Sequence, residues 1–301
     1  MRQYDSSSLV IHPGTSSDKT VVVEVHPEQA GWETIDFHVR KLASGQSWDT
    51  AVQDEELVIV QLGGTFSVES NHGKWEQMGE RKDVFSGLPC ALYLPRQSRL
   101  TISAETDCEF AVAKAPAEQD FPARLITPAE VNVEIRGGDH ATRQINDIIP
   151  PGFACQRLVV VEVYTPAGNW SSYPPHKHDN RRVSPQGKLL EADLDEVYYY
   201  KIDRPEGYAI QRVYTGKDSP LHVAGRGFDE ALILKNDYVA LVPEGYHPVS
   251  SPPGYTTYYL NILAGSDQAL TSCDDPDFAW VKETYQSLDP RVPIYPIPSI
   301  Q

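Results

Sequence analysis

The sequence has 301 residues, of which 26 are basic and 42 acidic, so its formal net charge is −16. A chain this acidic repels phosphate backbones, which argues against general nucleic-acid binding. Hydrophobic residues make up 40% of the chain, enough for a packed core, but the longest unbroken apolar runs, Cys90–Leu94 and Tyr238–Val242, are far shorter than the roughly 20 residues that a membrane helix needs.

The N-terminal segment MRQYDSSSLVIHPG has no apolar stretch long enough for a signal peptide, so we expect a cytoplasmic protein. Short runs rich in Val, Ile, Tyr and Thr then recur between Pro and Gly residues, and they predict an all-β sandwich or barrel. These predicted strands are Val21–Val25, Leu57–Leu62, Ala91–Leu94, Phe110–Ala113, Leu158–Tyr164, Val197–Tyr200, Ala231–Leu234, Val239–Val242 and Thr256–Leu263. The best helical pattern is Asp277–Ser287.

The chain divides into two halves with a similar pattern of short apolar runs, separated by a proline-containing segment at Ala115–Ile135. Six residues separate Glu56 from Gly63, and six residues likewise separate Glu196 from Asp203. This repeat predicts a duplicated β-barrel with a first barrel at 1–115, a linker and inter-barrel segment at 116–155, and a second barrel at 156–270. A C-terminal helix and a proline-rich tail fill 271–301. We expect the tail to be extended and to dock on the body or on a neighbouring subunit through Val292, Ile294, Ile297 and Ile300.

The strongest chemical signal is the pair His176 and His178. On a strand, residues i and i+2 point to the same face about 6.6–6.8 Å apart, so both imidazoles can converge on one metal while Lys177 points to the opposite face. Glu196 begins a later predicted strand, and His247 follows a tight turn. Three imidazoles and a carboxylate make a good divalent-metal set with room for substrate.

The order HxH, Glu at the start of a strand and PxGxH resembles the two sequence motifs of the cupins. The stretches at 168–179, 195–203, 207–215, 239–249 and 258–265 are more specific, and they resemble the 5-deoxy-glucuronate isomerase family of bacterial myo-inositol catabolism. That family is related to the zinc-containing isomerases of pectin degradation, which act on 5-keto-4-deoxyuronate. The resemblance implies an all-β bicupin, two jelly-roll barrels with few short helices, and the conversion of 5-deoxy-D-glucuronate to 5-dehydro-2-deoxy-D-gluconate. By the same motif match, the metal ligands would be His176, His178, Glu196 and His247.

This sequence departs from the usual cupin pattern in three places. Asp203 replaces the glycine after the motif glutamate, and the second motif is one residue short. The 17 residues between His178 and Glu196 exceed the usual gap, so the acids in and near this insertion are rival ligands: Asp179, Glu191 and Asp195.

The first half cannot build the same site, because it has no histidine between His38 and His72. Where HxH should stand it has Ser47, Trp48 and Asp49, and the counterpart of His247 is Ser98 or Arg99. We therefore expect one metal ion per chain, in the second half, and a structural role for the first half, either covering a barrel edge or forming the surface of a homo-oligomer. Three histidines and a glutamate suit zinc, manganese, iron and nickel alike. The resemblance to the zinc-containing isomerases implies zinc, with manganese, iron and nickel as alternatives.

An aldose–ketose isomerase must move a proton between adjacent carbons and stabilise an enediolate. The candidate catalytic residues are Tyr246, Glu196 and Tyr198, with Tyr200 as a further tyrosine on the same strand. The carboxylate of a small uronate substrate calls for an arginine, and the candidates are Arg143, Arg157 and Arg212. Arg181 and Arg182 could belong to a lid over the site.

Three other functions compete with this interpretation. They are isomerisation of 5-keto-4-deoxyuronate, oxygen-consuming dioxygenase chemistry at iron, nickel or copper, and non-catalytic sugar binding. The complete ligand set argues against the last of these.

Overall fold

The computed structural model describes residues 3–297, and within them most of the regular secondary structure is β-strand. The helices are short: α1 Ser6–Leu9, α2 Pro27–Ala30, α3 Pro220–Val223, and 3₁₀ turns at Pro128–Glu130, Asp139–Ala141 and Ala279–Thr284. No helix in residues 3–297 has the length and apolar character required to cross a lipid bilayer.

The first half packs two antiparallel sheets face to face. Its strands are β1 Val10–Ile11, β2 Val21–Val25, β3 Asp36–Leu42, β4 Ser47–Ala51, β5 Glu55–Gly63, β6 Phe66–Ser70, β7 Gly73–Met78, β8 Ala91–Leu94, β9 Arg99–Ala104, β10 Cys108–Pro116 and β11 Arg124–Ile126. One sheet has the order β11-β8-β5-β10-β3-β2 and the other β4-β9-β6-β7. Alternate residues of both point into one apolar core, where the rings of Phe66 and Phe110 lie 5.3 Å apart.

The second half repeats this architecture with a larger sheet. Its strands are β12 Asn132–Arg136, β13 Arg143–Ile149, β14 Val159–Thr165, β15 Trp170–Ser171, β16 His176–Lys177, β17 Asp179–Val183, β18 Leu189–Ile202, β19 Ala209–Tyr214, β20 Asp229–Leu234, β21 Val239–Val242, β22 Val249–Ser250, β23 Thr257–Gly265 and β24 Cys273–Asp274. The main sheet has the order β1-β21-β18-β23-β14-β13-β12, with β17 paired to β18, and the facing sheet has the order β15-β22-β19-β20. Strand β16 pairs with β24.

One strand of the first half belongs to the main sheet of the second half. β1 comes from the start of the chain but pairs with β21 of the second half, with Val10 opposite Ala240. The segment 116–155, predicted as linker and inter-barrel chain, supplies β11 to the first half and β12 and β13 to the second. The predicted domain boundaries stay a prediction. β1 lies within the predicted first barrel but pairs in the second half, and β11 lies within the predicted linker but pairs in the first half.

The predicted all-β architecture with few short helices is confirmed, and every predicted strand overlaps an observed one. The predicted helix over Asp277–Ser287 is wrong, because only a 3₁₀ turn forms, at Ala279–Thr284. β-Branched Val281 and Thr284 disfavour an α-helix, and the Thr284 hydroxyl donates to the Val281 carbonyl oxygen at 2.7 Å, which occupies that acceptor.

The proline-rich tail docks on the second half in the residues that the structure describes. Ile294 packs partly against the core, and its N–H donates to Gln144 Oε1 at 2.8 Å. Tyr295, which the sequence analysis did not single out, is buried and accepts a hydrogen bond from Asn146 Nδ2 at 2.7 Å. Ile300 lies outside the described residues.

Candidate metal centre

Three side chains from separate elements meet inside the second barrel. Glu196 lies on β18, His178 lies between β16 and β17, and His247 lies in the loop between β21 and β22. His178 Nε2 is 3.1 Å and His247 Nε2 is 3.3 Å from Glu196 Oε2, and the ligand atoms of all three residues lie within 4.8 Å of one another. All three side chains are buried.

The backbone orients both imidazoles. The Nδ1–H groups of His178 and His247 lie 2.9 Å from the Leu194 carbonyl oxygen and 2.8 Å from the Gly245 carbonyl oxygen, and donating to them leaves each Nε2 facing Glu196. His247 Nε2 is buried and has no hydrogen-bond partner among the described residues. Since an unpaired buried ring nitrogen is costly, this atom fits a position that a metal ion fills.

His176 approaches the same cluster from the cavity side. Its ring centroid is 4.8 Å from that of His247 and 6.5 Å from that of His178, but it falls outside the tight group of three. Burial lowers the pKa of His176 and of His247 to about 3, so both imidazoles are neutral and keep a lone pair at neutral pH. Burial is the largest single influence on the pKa of His178 and lowers it, but the hydrogen bond and the charge of Glu196, together with backbone hydrogen bonds, outweigh burial and raise this pKa. Neutral imidazoles and one carboxylate match the preferences of a divalent transition-metal ion.

A cavity of about 560 Å³ opens in front of the cluster. Arg143, at the start of β13, contributes to its wall together with Tyr198, Tyr259 and Tyr285. The Arg143 guanidinium donates to the Ala141 carbonyl oxygen at 3.3 Å, and in residues 3–297 no carboxylate lies within ion-pair distance of it. Burial lowers the pKa of Arg143, but an arginine remains charged at neutral pH. The cavity therefore contains a cation with capacity for an anionic ligand.

The other two predicted arginines lie elsewhere. Arg212 pairs with Asp229 at 2.6 Å on the protein surface, with its guanidinium over the Tyr214 ring. Arg157 donates to the Gly265 carbonyl oxygen at 2.9 Å. Neither lines the cavity, so the structure does not support the prediction that either one faces the substrate.

Of the three tyrosines considered for catalysis, only Tyr198 lines the cavity. Its ring centroid is 5.8 Å from that of His247. Tyr246 does not line the cavity, and its ring packs against that of Tyr214 with the centroids 5.1 Å apart. Tyr200 is buried, and its hydroxyl donates to Gln211 Oε1 at 3.0 Å.

The rival ligands do not join the cluster. Lys177 points away from the histidines, as the strand alternation predicts, and binds the Asp179 and Glu191 carboxylates. Asp195 accepts a hydrogen bond from Thr34. Of the two predicted lid residues, Arg181 pairs with Asp267 and Arg182 with Glu191, so both bind the edge of the barrel.

The first half uses its motif glutamate differently. Glu56 is fully buried and accepts hydrogen bonds from the Tyr93 hydroxyl and from the backbone N–H groups of Gln156, Arg157 and Leu158, at 2.7–3.0 Å. Among the described residues, the only group of three or more candidate ligands is the one in the second half. Glu56 therefore links the first half to the chain at 156–158, and we call this set of hydrogen bonds the Glu56 brace.

A family model described as the KduI/IolB family matches residues 9–281. The chain belongs to the KduI/IolB family. It is 43% identical over 279 residues to a 5-deoxy-glucuronate isomerase of Geobacillus kaustophilus, covering 92% of this chain and 96% of that protein. It is 36% identical over 270 residues to a 5-deoxy-glucuronate isomerase of Bacillus subtilis strain 168, covering 89% and 95%.

Solved structures agree with the architecture. An IolB-like protein from Salmonella typhimurium LT2 superposes on this KduI/IolB chain with a TM-score of 0.83 at 35% identity, covering 91% of this chain and 98% of that one. Oxalate decarboxylase from Bacillus subtilis superposes with a TM-score of 0.59 at 13% identity, covering 91% and 79%, which is a likeness of fold alone. The predicted bicupin architecture is confirmed.

Sequence reasoning missed several residues of the cavity wall, among them Asp147, Tyr259, Asn261 and Tyr285. Asn261 donates to Glu196 Oε1 and so fixes the carboxylate. The sequence feature that could have indicated Asn261 is its position as a lone amide within the apolar strand β23, where it lies opposite Tyr198 of β18. No sequence pattern indicated Tyr285, because it lies in the C-terminal segment, outside the barrel strands, and reaches the cavity only through the tertiary fold.

Proposed function

We propose that this chain is an aldose–ketose isomerase that converts 5-deoxy-glucuronate to 5-dehydro-2-deoxy-gluconate with the aid of one divalent cation. The observation that carries the proposal is the opening of the His178–Glu196–His247 cluster into a cavity whose wall includes Arg143. The names of relatives at 43% and 36% identity support the substrate. The family supports the isomerase class.

His178, Glu196 and His247 would hold the cation, with His176 as the fourth ligand on the cavity side. A divalent cation there would supply a Lewis acid that stabilises negative charge developing on substrate oxygens. Three imidazoles and a carboxylate suit zinc, manganese, iron and nickel. Zinc is the ion that we propose, by the resemblance to the zinc-containing isomerases.

Arg143 would bind the carboxylate of the uronate. A guanidinium presents two parallel N–H donors that match a carboxylate, and Arg143 has no competing acid within the described chain. The cavity wall beside it is partly apolar, formed by Ile145, Val161 and Val163. An apolar wall displaces water and strengthens the attraction between the guanidinium and the substrate.

Tyr198 would take part in proton transfer. Glu196 has one oxygen bound by Asn261 and the other facing two histidines, which leaves it little capacity as a base. Tyr198 has its hydroxyl 3.5 Å from the Ser172 hydroxyl, and both residues line the cavity. Burial raises the pKa of Tyr198 well above 10, so its hydroxyl carries a proton that it can donate to a substrate oxygen.

A direct assay tests this function. Purified, metal-quantified protein is incubated with 5-deoxy-glucuronate and, separately, with 5-keto-4-deoxyuronate, and the ketose products are measured. We expect turnover of the first substrate. Turnover of only the second would favour the pectin-pathway reaction, oxygen consumption would favour a dioxygenase, and turnover of neither sugar would overturn the proposal.

Arg143→Leu and Arg212→Leu form a matched pair for the carboxylate site. Both replace an arginine on a β-strand of the second barrel, but only Arg143 lines the cavity. We expect Arg143→Leu to raise KM and to lower kcat through misplacement of the substrate, and Arg212→Leu to retain wild-type kinetics. Equal kinetics in both variants would contradict the assignment of Arg143.

Homo-oligomer formation and a cytoplasmic location are further parts of the proposal. Light scattering on the purified protein would establish the number of subunits. Cell fractionation would establish the compartment.

A further inference from the structure

A buried polar cluster lies directly behind the metal centre. Its members are Lys177, Asp179, Glu191 and Ser219, all of them at most 2% exposed. Lys177 Nζ binds Asp179 Oδ1, Glu191 Oε1 at 3.0 Å and the more exposed Asp218 at 3.3 Å. Arg182 binds the second oxygen of Glu191. None of these side chains lines the cavity, and the proposed function does not use them.

Asp179 connects the two loops that carry His178 and His247. It follows His178 directly in the chain, and its Oδ2 accepts hydrogen bonds from the Gly245 N–H at 3.1 Å and the Ser219 hydroxyl at 2.6 Å. The carbonyl oxygen of the same Gly245 faces His247 Nδ1 at 2.8 Å. The Asp179 carboxylate thus fixes Gly245, which orients His247. Asp179 also directly follows His178 in the chain, so the same residue is linked to both histidines.

The turn at Gly245 admits little adjustment. Gly245 has φ +96°, and a Cβ atom there would lie 2.3 Å from the Tyr214 carbonyl oxygen. Only glycine fits this conformation and this space. The turn therefore packs closely against the Tyr214 backbone, and the Asp179 carboxylate binds the Gly245 N–H of the same turn.

The energetics also point to a positioning role. Burying two carboxylates with one lysine and one half-exposed arginine stabilises a fold poorly, since desolvation offsets most of the attraction. Such a cluster does fix the relative geometry of the segments it joins, here β16, the β17–β18 hairpin and the 243–247 turn. Groups that orient metal ligands affect metal affinity nearly as strongly as the ligands themselves.

We propose that Asp179, held by Lys177, is a positioning residue that sets the separation of His178 and His247 and thereby the affinity of the centre for a divalent cation. This inference rests on the proposed metal centre.

The test compares Asp179→Asn with Asp195→Asn. Both variants replace a carboxylate next to a proposed metal ligand by an amide of the same shape. In residues 3–297 the Asp195 carboxylate accepts a hydrogen bond from Thr34, and no hydrogen bond or ion pair joins it to either of the two loops. In Asp179→Asn the new amide nitrogen would face a donor, either the Lys177 ammonium or the Gly245 N–H. We expect Asp179→Asn to raise the Kd for Zn²⁺ roughly 10- to 100-fold and Asp195→Asn to leave it unchanged. Competition of metal-free protein with a chromophoric chelator for added Zn²⁺ measures both values.

Two further readouts separate positioning from a general loss of stability. The visible absorption of bound Co²⁺ reports ligand geometry, and we expect it to change in Asp179→Asn but not in Asp195→Asn. Ser219→Ala removes one hydrogen bond from Asp179 and leaves the ion pairs in place. This variant therefore tests the role of Asp179 if Asp179→Asn does not fold. It should raise the Zn²⁺ Kd roughly two- to tenfold.

The outcomes distinguish the two proposals. A wild-type protein that binds no Zn²⁺ would overturn the metal centre itself. A wild-type protein that binds Zn²⁺ with the same Kd and the same Co²⁺ spectrum as Asp179→Asn, or as Ser219→Ala where the first variant is unfolded, would overturn the role of Asp179 alone.

Discussion

Arg81 of the first half and Glu162 of the second form a buried ion pair, with Arg81 Nη2 2.6 Å from Glu162 Oε1 and both side chains at most 1% exposed. Arg81 also donates to the Gln61 carbonyl oxygen, and Glu162 also accepts from the Tyr258 hydroxyl at 2.8 Å. Together with the Glu56 brace, this pair joins the two halves through polar contacts inside an otherwise apolar junction.

We expect Glu162→Gln to destabilise the protein by about 3–5 kcal/mol, because it leaves an arginine that cannot deprotonate buried without a counter-charge. Urea unfolding followed by circular dichroism measures the free energy of unfolding. Arg96→Met, which breaks an exposed pair with Asp120, is the control and should cost less than about 1 kcal/mol. A similar small loss in both variants would show that the buried pair contributes no more than a surface one.

Local patterns predicted most of the fold and indicated the residues of the candidate metal centre, because both depend on spacing along one strand or one turn. The alternation of apolar residues predicted the strands, and the i, i+2 spacing predicted that His176 and His178 face the cavity while Lys177 faces away. The partners of single polar residues were not predictable. Arg143 and Arg212 look alike in sequence, and only the register of β19 with β20 brings Asp229 next to Arg212.

Glu56 shows a second limit of sequence patterns. It keeps the motif position of Glu196, but the chain at 156–158 fills the space in front of it with backbone N–H donors. A repeat reveals a shared fold, and the surrounding atoms decide whether the repeated residue binds a metal or braces a junction.

Removal of the proposed ion should leave the barrels folded. Metal analysis of the purified protein should give about one divalent ion per chain, and dialysis against a strong chelator should lower the midpoint of thermal unfolding without abolishing the circular dichroism of the strands. His178→Ala should bind no ion and should retain that spectrum. Two ions per chain would contradict a single centre, and an unfolded His178→Ala would show that the ion is required for folding.

Glu244 predicts a dependence of stability on pH. Burial raises its pKa to about 7, with Asp179 and Asp193 adding to the shift and the Leu221 N–H and Arg226 opposing it. A carboxyl group with a higher pKa in the folded state favours folding at low pH, and this contribution is lost as pH rises from about 4.5 through about 7. In chelator-treated protein we therefore expect Glu244→Gln to unfold at a higher temperature than wild type at pH 8, with a smaller difference at pH 5. The opposite order at pH 8 would mean that the ionised carboxylate stabilises the fold.

The path of the proton can be followed with heavy water. Isomerisation of an aldose to a ketose runs either through a cis-enediolate, in which a base removes the C2 proton and a proton then adds to C1, or through direct hydride transfer from C2 to C1. Hydride transfer suits a site with two cations that polarise the substrate, whereas the described residues offer one cluster of ligands, and Lys177 points away from it. Hydroxyl groups that line the cavity, Tyr198 among them, are available for proton transfer instead. A base that contacts water exchanges its proton between removal and return, so the ketose formed in heavy water should carry deuterium at the former aldehyde carbon, as mass spectrometry or proton NMR would detect. A product without solvent deuterium, formed from C2-deuterated substrate with complete transfer of the label, would instead indicate hydride transfer or a base fully shielded from water.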